Sequence, residues 1–236
     1  MEAIILAGGR GTRLGALTEA MPKPMLPVNG RPFLSFLLDS LAGQGVGRIL
    51  LSVGYRHGEV QAYFGSRYRN TRLDYVIEQE PLGTGGGARL ALQSANSEPV
   101  FLLNGDTLFA VPLSEMIATR EREAADVVMA LRHVRDGGRY GSVVESGGRI
   151  VGFLEKATRA EAIINGGVYL FGRRDLLNAF PEGPGSLELD MFPSLLKTHR
   201  VVGVHSSAIF IDIGLPADYE RAQTLLRDGT TAGSGV

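Results

Sequence analysis

Short apolar runs, each closed by small or polar residues, set the rhythm of this chain. Residues 3–6 read Ala-Ile-Ile-Leu, too short for a helix and apolar at every position, which predicts a strand buried on both faces. The period then changes. Phe33, Phe36, Leu37, Ser40 and Leu41 recur at helical spacing, and Gly45 supplies a stop. A second strand is predicted over 49–53, a short helix over 58–64 and a third strand over 73–78. The turn Glu78-Gln79-Glu80-Pro81-Leu82-Gly83-Thr84-Gly85-Gly86-Gly87 follows. A helix over 88–94 and a fourth strand over 100–103 come next, closing in Asn104-Gly105-Asp106. Strands and helices alternating at this interval predict an α/β fold with a parallel sheet.

The second half reads differently. A helix over 113–122 leads to a strand over 127–131, and residues 142–145 and 150–155 flank Ser146-Gly147-Gly148, a hairpin signal. The apolar run 162–171 is interrupted by Asn165-Gly166-Gly167. Helices over 174–180 and 187–199, strands over 201–204 and 209–213, and a last helix over 216–227 complete the pattern. The small, polar residues 229–236 predict a flexible tail. No repeat and no separating linker is visible.

Composition narrows the picture. A chain of 236 residues suffices for one large α/β domain with a substantial core. A net charge of −1 gives no support to a nucleic-acid partner. With no cysteine, disulfides, thiolate zinc sites and a cysteine nucleophile are excluded. The first apolar run is too short for a signal peptide and lacks a basic leader, and no run approaches a membrane span. A cytoplasmic protein without a membrane partner is therefore expected. Glycine, at 32 residues, is about twice its usual share, and much of it follows apolar runs, where ligand-binding turns occur. Lysine is confined to Lys23, Lys156 and Lys197. In a chain that otherwise chooses arginine, a lysine marks a need for a compact point charge, unless the three are simply the remainder of a compositional habit.

The loop after the first strand carries Gly8, Gly9 and Gly11 with Arg10 and Arg13. Its glycines let the backbone approach a ligand and aim N–H groups at one point, which suits a polyphosphate. It is not a dinucleotide fingerprint, because Leu14 takes the third glycine position and no acid closes the second strand. Nor is it a Walker loop, since no Gly-Lys-Ser/Thr follows. Lys23 stands between Pro22 and Pro24, on a stiff support. Asp106 and Asp212 each close a strand, and ligands collect at the carboxyl ends of parallel strands. Together they suit one Mg²⁺ shared with phosphate oxygens and water; singly, each reads as a turn or helix-capping residue. His57, His133, His199 and His205 have no metal-ligand spacing and read as surface or core residues. No Gly-x-Ser-x-Gly elbow is present.

Ala7-Gly8-Gly9-Arg10-Gly11-Thr12-Arg13-Leu14, Pro22-Lys23-Pro24, Asn104-Gly105-Asp106 and Asp212-Ile213-Gly214 resemble the motifs of the sugar-1-phosphate nucleotidyltransferases, over nearly the whole chain. The resemblance implies a Rossmann-like mixed, mostly parallel sheet flanked by helices (the nucleotidyltransferase fold) and a need for Mg²⁺. It divides one domain, 1–228, into a nucleotide-binding half over about 1–110 and a sugar-phosphate half over about 111–228, ahead of the tail 229–236. The β-helix acyltransferase domain of some relatives is not expected. Within the family, Glu80-Pro81-Leu82-Gly83-Thr84-Gly85-Gly86, Arg139-Tyr140-Gly141, Asn165-Gly166-Gly167 and the segment 210–219 most resemble D-glycero-α-D-manno-heptose 1-phosphate guanylyltransferases. GTP and that sugar 1-phosphate are then the implied partners, and GDP-heptose for surface polysaccharide the product. Uridylyltransferases acting on N-acetylmuramic acid 1-phosphate are similar in the first loop and share a related turn. The base therefore stays open, as do other sugars such as mannose 1-phosphate, and a homodimer is possible.

By the same resemblance, the loop Gly8, Gly9, Gly11, Thr12 and Arg13 holds the triphosphate, with Arg13 on the leaving pyrophosphate and Lys23 on the α-phosphate, and Leu6 and Ala7 belong to the nucleotide site. Glu78, Pro81, Gly83, Thr84, Asn104 and Asp106 complete the nucleotide site, Glu78 being the candidate reader of guanine N–H groups. Gly105, Tyr140, Gly141, Glu155, Lys156, Asn165 and Gly167 face the sugar phosphate, and Asp106 and Asp212 hold the Mg²⁺. Arg13, Lys23, Asp106 and Asp212 form the implied catalytic set. A non-catalytic regulatory subunit on the same fold would be expected to lose a metal aspartate or the phosphate lysine, and this chain keeps Asp106, Asp212, Lys23 and Lys156. A glycosyltransferase would carry an Asp-x-Asp motif, which is absent.

Overall fold

The computed structural model describes residues 1–19, 21–135, 141–154, 161–180 and 182–227. Tyr140, Glu155, Lys156 and the tail expected over 229–236 lie outside them. The first half contains β1 (Glu2–Leu6), β2 (Pro27–Val28), β3 (Arg31–Pro32), α1 (Phe33–Gly43), β4 (Arg48–Val53), α2 (His57–Phe64), β5 (Arg67–Tyr68), β6 (Thr71–Ile77), α3 (Gly83–Ser94), β7 (Val100–Asn104) and β8 (Thr107–Phe109). The second contains α4 (Leu113–Arg122), β9 (Val127–Val134), β10 (Ser142–Ser146), β11 (Arg149–Leu154), β12 (Ala162–Phe171), α5 (Arg173–Ala179), α6 (Phe192–Thr198), β13 (Val201–His205), β14 (Phe210–Asp212) and α7 (Pro216–Leu225). Among the described residues, no helix is long and apolar enough to cross a membrane.

β1 lies at the centre of a mixed sheet. It runs parallel to β4 on one side and β7 on the other, and β4 is parallel to β6. β12 runs against both β7 and β9, and β9 is parallel to β13. The predicted hairpin, β10–β11, joins the start of β12 through Ser142 and Ile164. The continuous apolar runs are explained by burial on both faces. Ala3, Ile5, Ile49, Leu51, Phe101 and Leu103 point into the core shared with α1, α2, α4 and α7. The alternate residues Ile4, Leu50 and Leu102 point into the core beneath α3, α5 and α6. Each such Ile, Leu or Phe side chain contributes about 1.5–3 kcal/mol when fully buried.

Three elements depart from the expected pattern. The helix expected over 88–94 begins five residues earlier, at Gly83. A β-carbon on Gly83 would lie 2.5 Å from the Gly185 carbonyl oxygen, and one on Gly86 would lie 2.5 Å from that of Gly183. These glycines admit a neighbouring backbone, and that packing outweighs their poor helix propensity. The single helix expected over 187–199 is instead a π-helical turn, Leu187–Met191, followed by α6, whose first turn contains Pro193. Proline lacks the N–H that a continuous α-helix needs there. Finally, the strand expected over 209–213 does not join the main sheet. As β14 it pairs antiparallel with β8 in a separate ribbon, with Asp212 opposite Thr107.

The junction of β7 and β1 tolerates no side chain at Gly105. Its N–H donates to the Leu6 carbonyl at 2.9 Å, and a β-carbon there would lie 3.0 Å from the Leu6 carbonyl carbon and 3.1 Å from Ala7 Cα. Gly105→Ala is expected to destabilise the protein by about 1–3 kcal/mol, the cost of overpacking a rigid contact, and to reduce turnover by moving Asp106 relative to the glycine loop. Gly9→Ala is the control, since its β-carbon would meet nothing within 4 Å. Urea melts of the two variants check this, and equal midpoints would remove the packing argument.

Candidate active site

The carboxyl ends of β1, β4, β6 and β7 open into one cleft of about 710 Å³. Its walls include Leu6, Ala7, Gly8, Gly9, Arg10 and Arg13 from the first loop, and Lys23 from the following turn. Glu78, Pro81, Gly83 and Thr84 line it from the second loop, and Asn104, Gly105, Asp106 and Asp212 from the strand ends. Gly11 and Thr12 are not on its wall. Gly11 takes a left-handed conformation, φ 68°, and a β-carbon there would lie 3.0 Å from Lys23 Cβ. Its role is to bring the lysine stem against the loop.

Lys23 begins a 3-10 turn, Lys23–Met25, and is buried. Its ammonium lies 2.5 Å from Asp106 Oδ2. Asp106 Oδ1 accepts from the Thr107 hydroxyl at 3.2 Å. The β8–β14 ribbon brings the second acid alongside: Ile213 N–H donates to the Asp106 carbonyl at 3.0 Å, and Asp212 Oδ1 accepts from Gly214 N–H at 2.6 Å. Burial first, and the Asp106 charge second, push the Asp212 carboxyl up from 3.8 to about 6, although Lys23 and the Gly214 N–H oppose the shift. Two mutually repelling carboxylates beside a phosphate-type loop suit a hard divalent cation. Among the described residues, no cluster of three or more His, Cys, Asp or Glu side chains is present. Two protein carboxylates are compatible with Mg²⁺, which usually keeps waters and substrate phosphates as its other ligands.

Glu78 faces the cleft but is also bound into the scaffold. Ser52 Oγ donates to its Oε1 at 2.9 Å and Leu82 N–H to its Oε2 at 3.3 Å. Gly8 and Gly87 press on the same carboxylate, since a β-carbon on either would lie within 2.8 Å of Oε1. Glu80, exposed on the same loop, lines the cleft as well.

The sugar-side residues fare differently. Gly105 lines the cleft, but Gly141, Asn165 and Gly167 do not. The Asn165 amide bonds within its own strand: Nδ2 donates to the Tyr169 hydroxyl at 2.7 Å and Oδ1 accepts from Gly167 N–H at 2.9 Å. Tyr169 is fully buried, and burial, then the Glu188 charge, pushes its phenol well above the ordinary range. The places of Tyr140, Glu155 and Lys156 lie outside the described residues.

Several cleft residues were not expected. His57, read from sequence as a surface or core residue, lines the cleft at the start of α2. Its position just beyond the end of β4, a parallel strand, is the signal that marks it. Arg10 lies over the Tyr55 ring, 5.6 Å from its centroid, which fixes a cation near the mouth. Glu188 arrives from the π-helical turn, where its Oε2 accepts from Thr84 and Ser186 hydroxyls, both at 3.1 Å.

A glycine loop, a buried lysine and two acids are thus gathered at the strand ends of a mixed α/β sheet. The chain belongs to the nucleotidyl transferase family, whose profile matches residues 2–229. Among individual relatives, it is 40% identical over 227 residues to D-glycero-alpha-D-manno-heptose 1-phosphate guanylyltransferase of Aneurinibacillus thermoaerophilus, covering 96% of this chain and 99% of that protein. It is 36% identical to the enzyme of the same name from Campylobacter jejuni, over 93% of this chain and 97% of that one. The crystal structure of HddC from Yersinia pseudotuberculosis complexed with GMP-PN superposes with a TM-score of 0.85 at 33% identity, covering 94% of this chain and 98% of that chain.

Proposed function

We propose that this protein transfers GMP from GTP to D-glycero-α-D-manno-heptose 1-phosphate, forming GDP-heptose and releasing pyrophosphate. The observation that carries the reading is the convergence of Lys23, Asp106 and Asp212 at the mouth of the glycine loop. The heptose and guanine assignments are supported by relatives of that activity that match along almost their full length.

In the reaction a phosphate oxygen of the sugar 1-phosphate attacks the α-phosphorus of GTP, and the bond to the bridging oxygen of pyrophosphate breaks. No general base is required, because the phosphate monoester is already ionised at neutral pH. Two anions must meet, so positioning and charge neutralisation supply most of the catalysis. The backbone from Gly8 to Gly9 and the guanidinium of Arg13 hold the triphosphate. Lys23 serves the α-phosphate, where charge develops. A magnesium ion bound by Asp106 and Asp212 would neutralise phosphate charge at the same point. Lys156 is assigned to the sugar phosphate, and Glu155 and Tyr140 to the sugar side.

For the base, a carboxylate accepts from the ring N–H and amino group on one edge of guanine. Glu78 is the candidate named by its place at the end of β6, and Glu80 is a second carboxylate on the same wall. Replacing the reading acid by glutamine is expected to lower the GTP:UTP preference about tenfold or more, since a hydrogen bond to a charged group is worth about 1.5–3 kcal/mol. Loss in Glu80→Gln alone would move the role from Glu78 to Glu80, and no loss in either would remove both. The whole reading is tested by pyrophosphate release across four nucleoside triphosphates and heptose, mannose and N-acetylmuramic acid 1-phosphates. Turnover confined to another pair would overturn the substrate assignment.

A further inference from the structure

The Lys23–Asp106 ion pair joins two groups that the proposed reaction uses on different partners. The lysine belongs on a phosphate and the aspartate on a cation. In the structure they are 2.5 Å apart, and the lysine side chain is only 7% exposed. The Thr107 hydroxyl takes the other Asp106 oxygen, so both oxygens of that carboxylate already have donors. The lysine stem is held against Gly11 and flanked by prolines, which limits where the ammonium can go. A hydroxyl can rotate away from an arriving ion. An ammonium this confined leaves only for a competing anion on the cleft side.

We propose that Lys23 guards the cation site: in the nucleotide-free protein it neutralises Asp106 and repels a divalent ion, and it is drawn off by the triphosphate. Metal and nucleotide then enter together, and the same movement that frees Asp106 delivers Lys23 to the phosphate. A cation binding ahead of GTP would otherwise hold the two acids in a state without substrate. This inference rests on the reading of Asp106 and Asp212 as the cation ligands.

The test is a titration of nucleotide-free protein with Mn²⁺, free ion being followed by electron paramagnetic resonance. Lys23→Met and Lys23→Gln keep a linear stem without the charge, and thermal melts establish that each is folded. Both are expected to bind Mn²⁺ about tenfold or more tightly than wild type, a change of about 1.4 kcal/mol. The added affinity should vanish when Asp106→Asn is combined with Lys23→Met. Affinities equal to wild type in both lysine variants would overturn the guarding role and leave the two-acid site standing. Binding that is indifferent to Asp106→Asn would overturn the site itself, and the inference with it.

Discussion

Asp106→Ala is expected to yield a folded protein whose turnover is lower by about two to three orders of magnitude, the scale of losing a dedicated electrostatic stabiliser. Folding should survive because Asp212 remains as a counter-charge for the buried Lys23, and because the Asp106 carboxylate is partly exposed at a strand end, where its removal empties no apolar core. It also relieves the repulsion on Asp212, for which Asp106 is the main charged cause. The loss should therefore fall on kcat more than on stability. Steady-state kinetics with saturating GTP, together with a thermal melt, separate the two. A purified variant with near-normal turnover would remove Asp106 from the reaction.

Asp212→Asn is expected to abolish most turnover and yet raise the melting temperature. The sign follows from the carboxyl group's position. Its folded-state value of about 6 lies above the ordinary 3.8, so the fold favours the protonated form. Stability is therefore lost as pH rises from about 4 through about 6, and the full cost is carried at neutral pH. The gap corresponds to at most about 3 kcal/mol. Asparagine keeps an oxygen for the Gly214 N–H and carries no charge. In chelator at pH 8 the variant should melt higher by about 5–10 °C, and the difference should shrink at pH 4. A variant melting no higher than wild type at pH 8 would show that the native carboxylate is not under electrostatic stress.

These two residues also show what a sequence reveals and what it hides. β1, β4 and β7 were legible because each carries an unbroken run of three or more apolar residues, as strands buried on both faces do. Lys23 was legible from its flanking prolines, and the aspartates from their place after apolar runs. The ribbon that brings the aspartates together was not, because nothing local to residues 210–212 states whether they join the main sheet or leave it. The glycines at 83, 85 and 86 looked like a ligand turn; Gly83 does line the cleft, and a distant segment containing Gly183, Gly185 and Met191 also packs against all three. Asn165 was named from the resemblance as a sugar-side residue, and its amide also bonds Tyr169 and Gly167, which no local pattern announces. Glu188 reached the cleft by tertiary packing alone. In each case local chemistry was readable, and the missing information was which remote segment lies against it.

The ribbon has a consequence for biosynthesis. Its two strands lie about a hundred residues apart in sequence. On the ribosome, β1, β4, β6 and β7 all emerge well before β14. Asp106 is then synthesised while its partner acid is still untranslated. Catalytic competence is thus acquired only after residue 212 has been added, and a nascent chain stalled before it lacks one of the two acids.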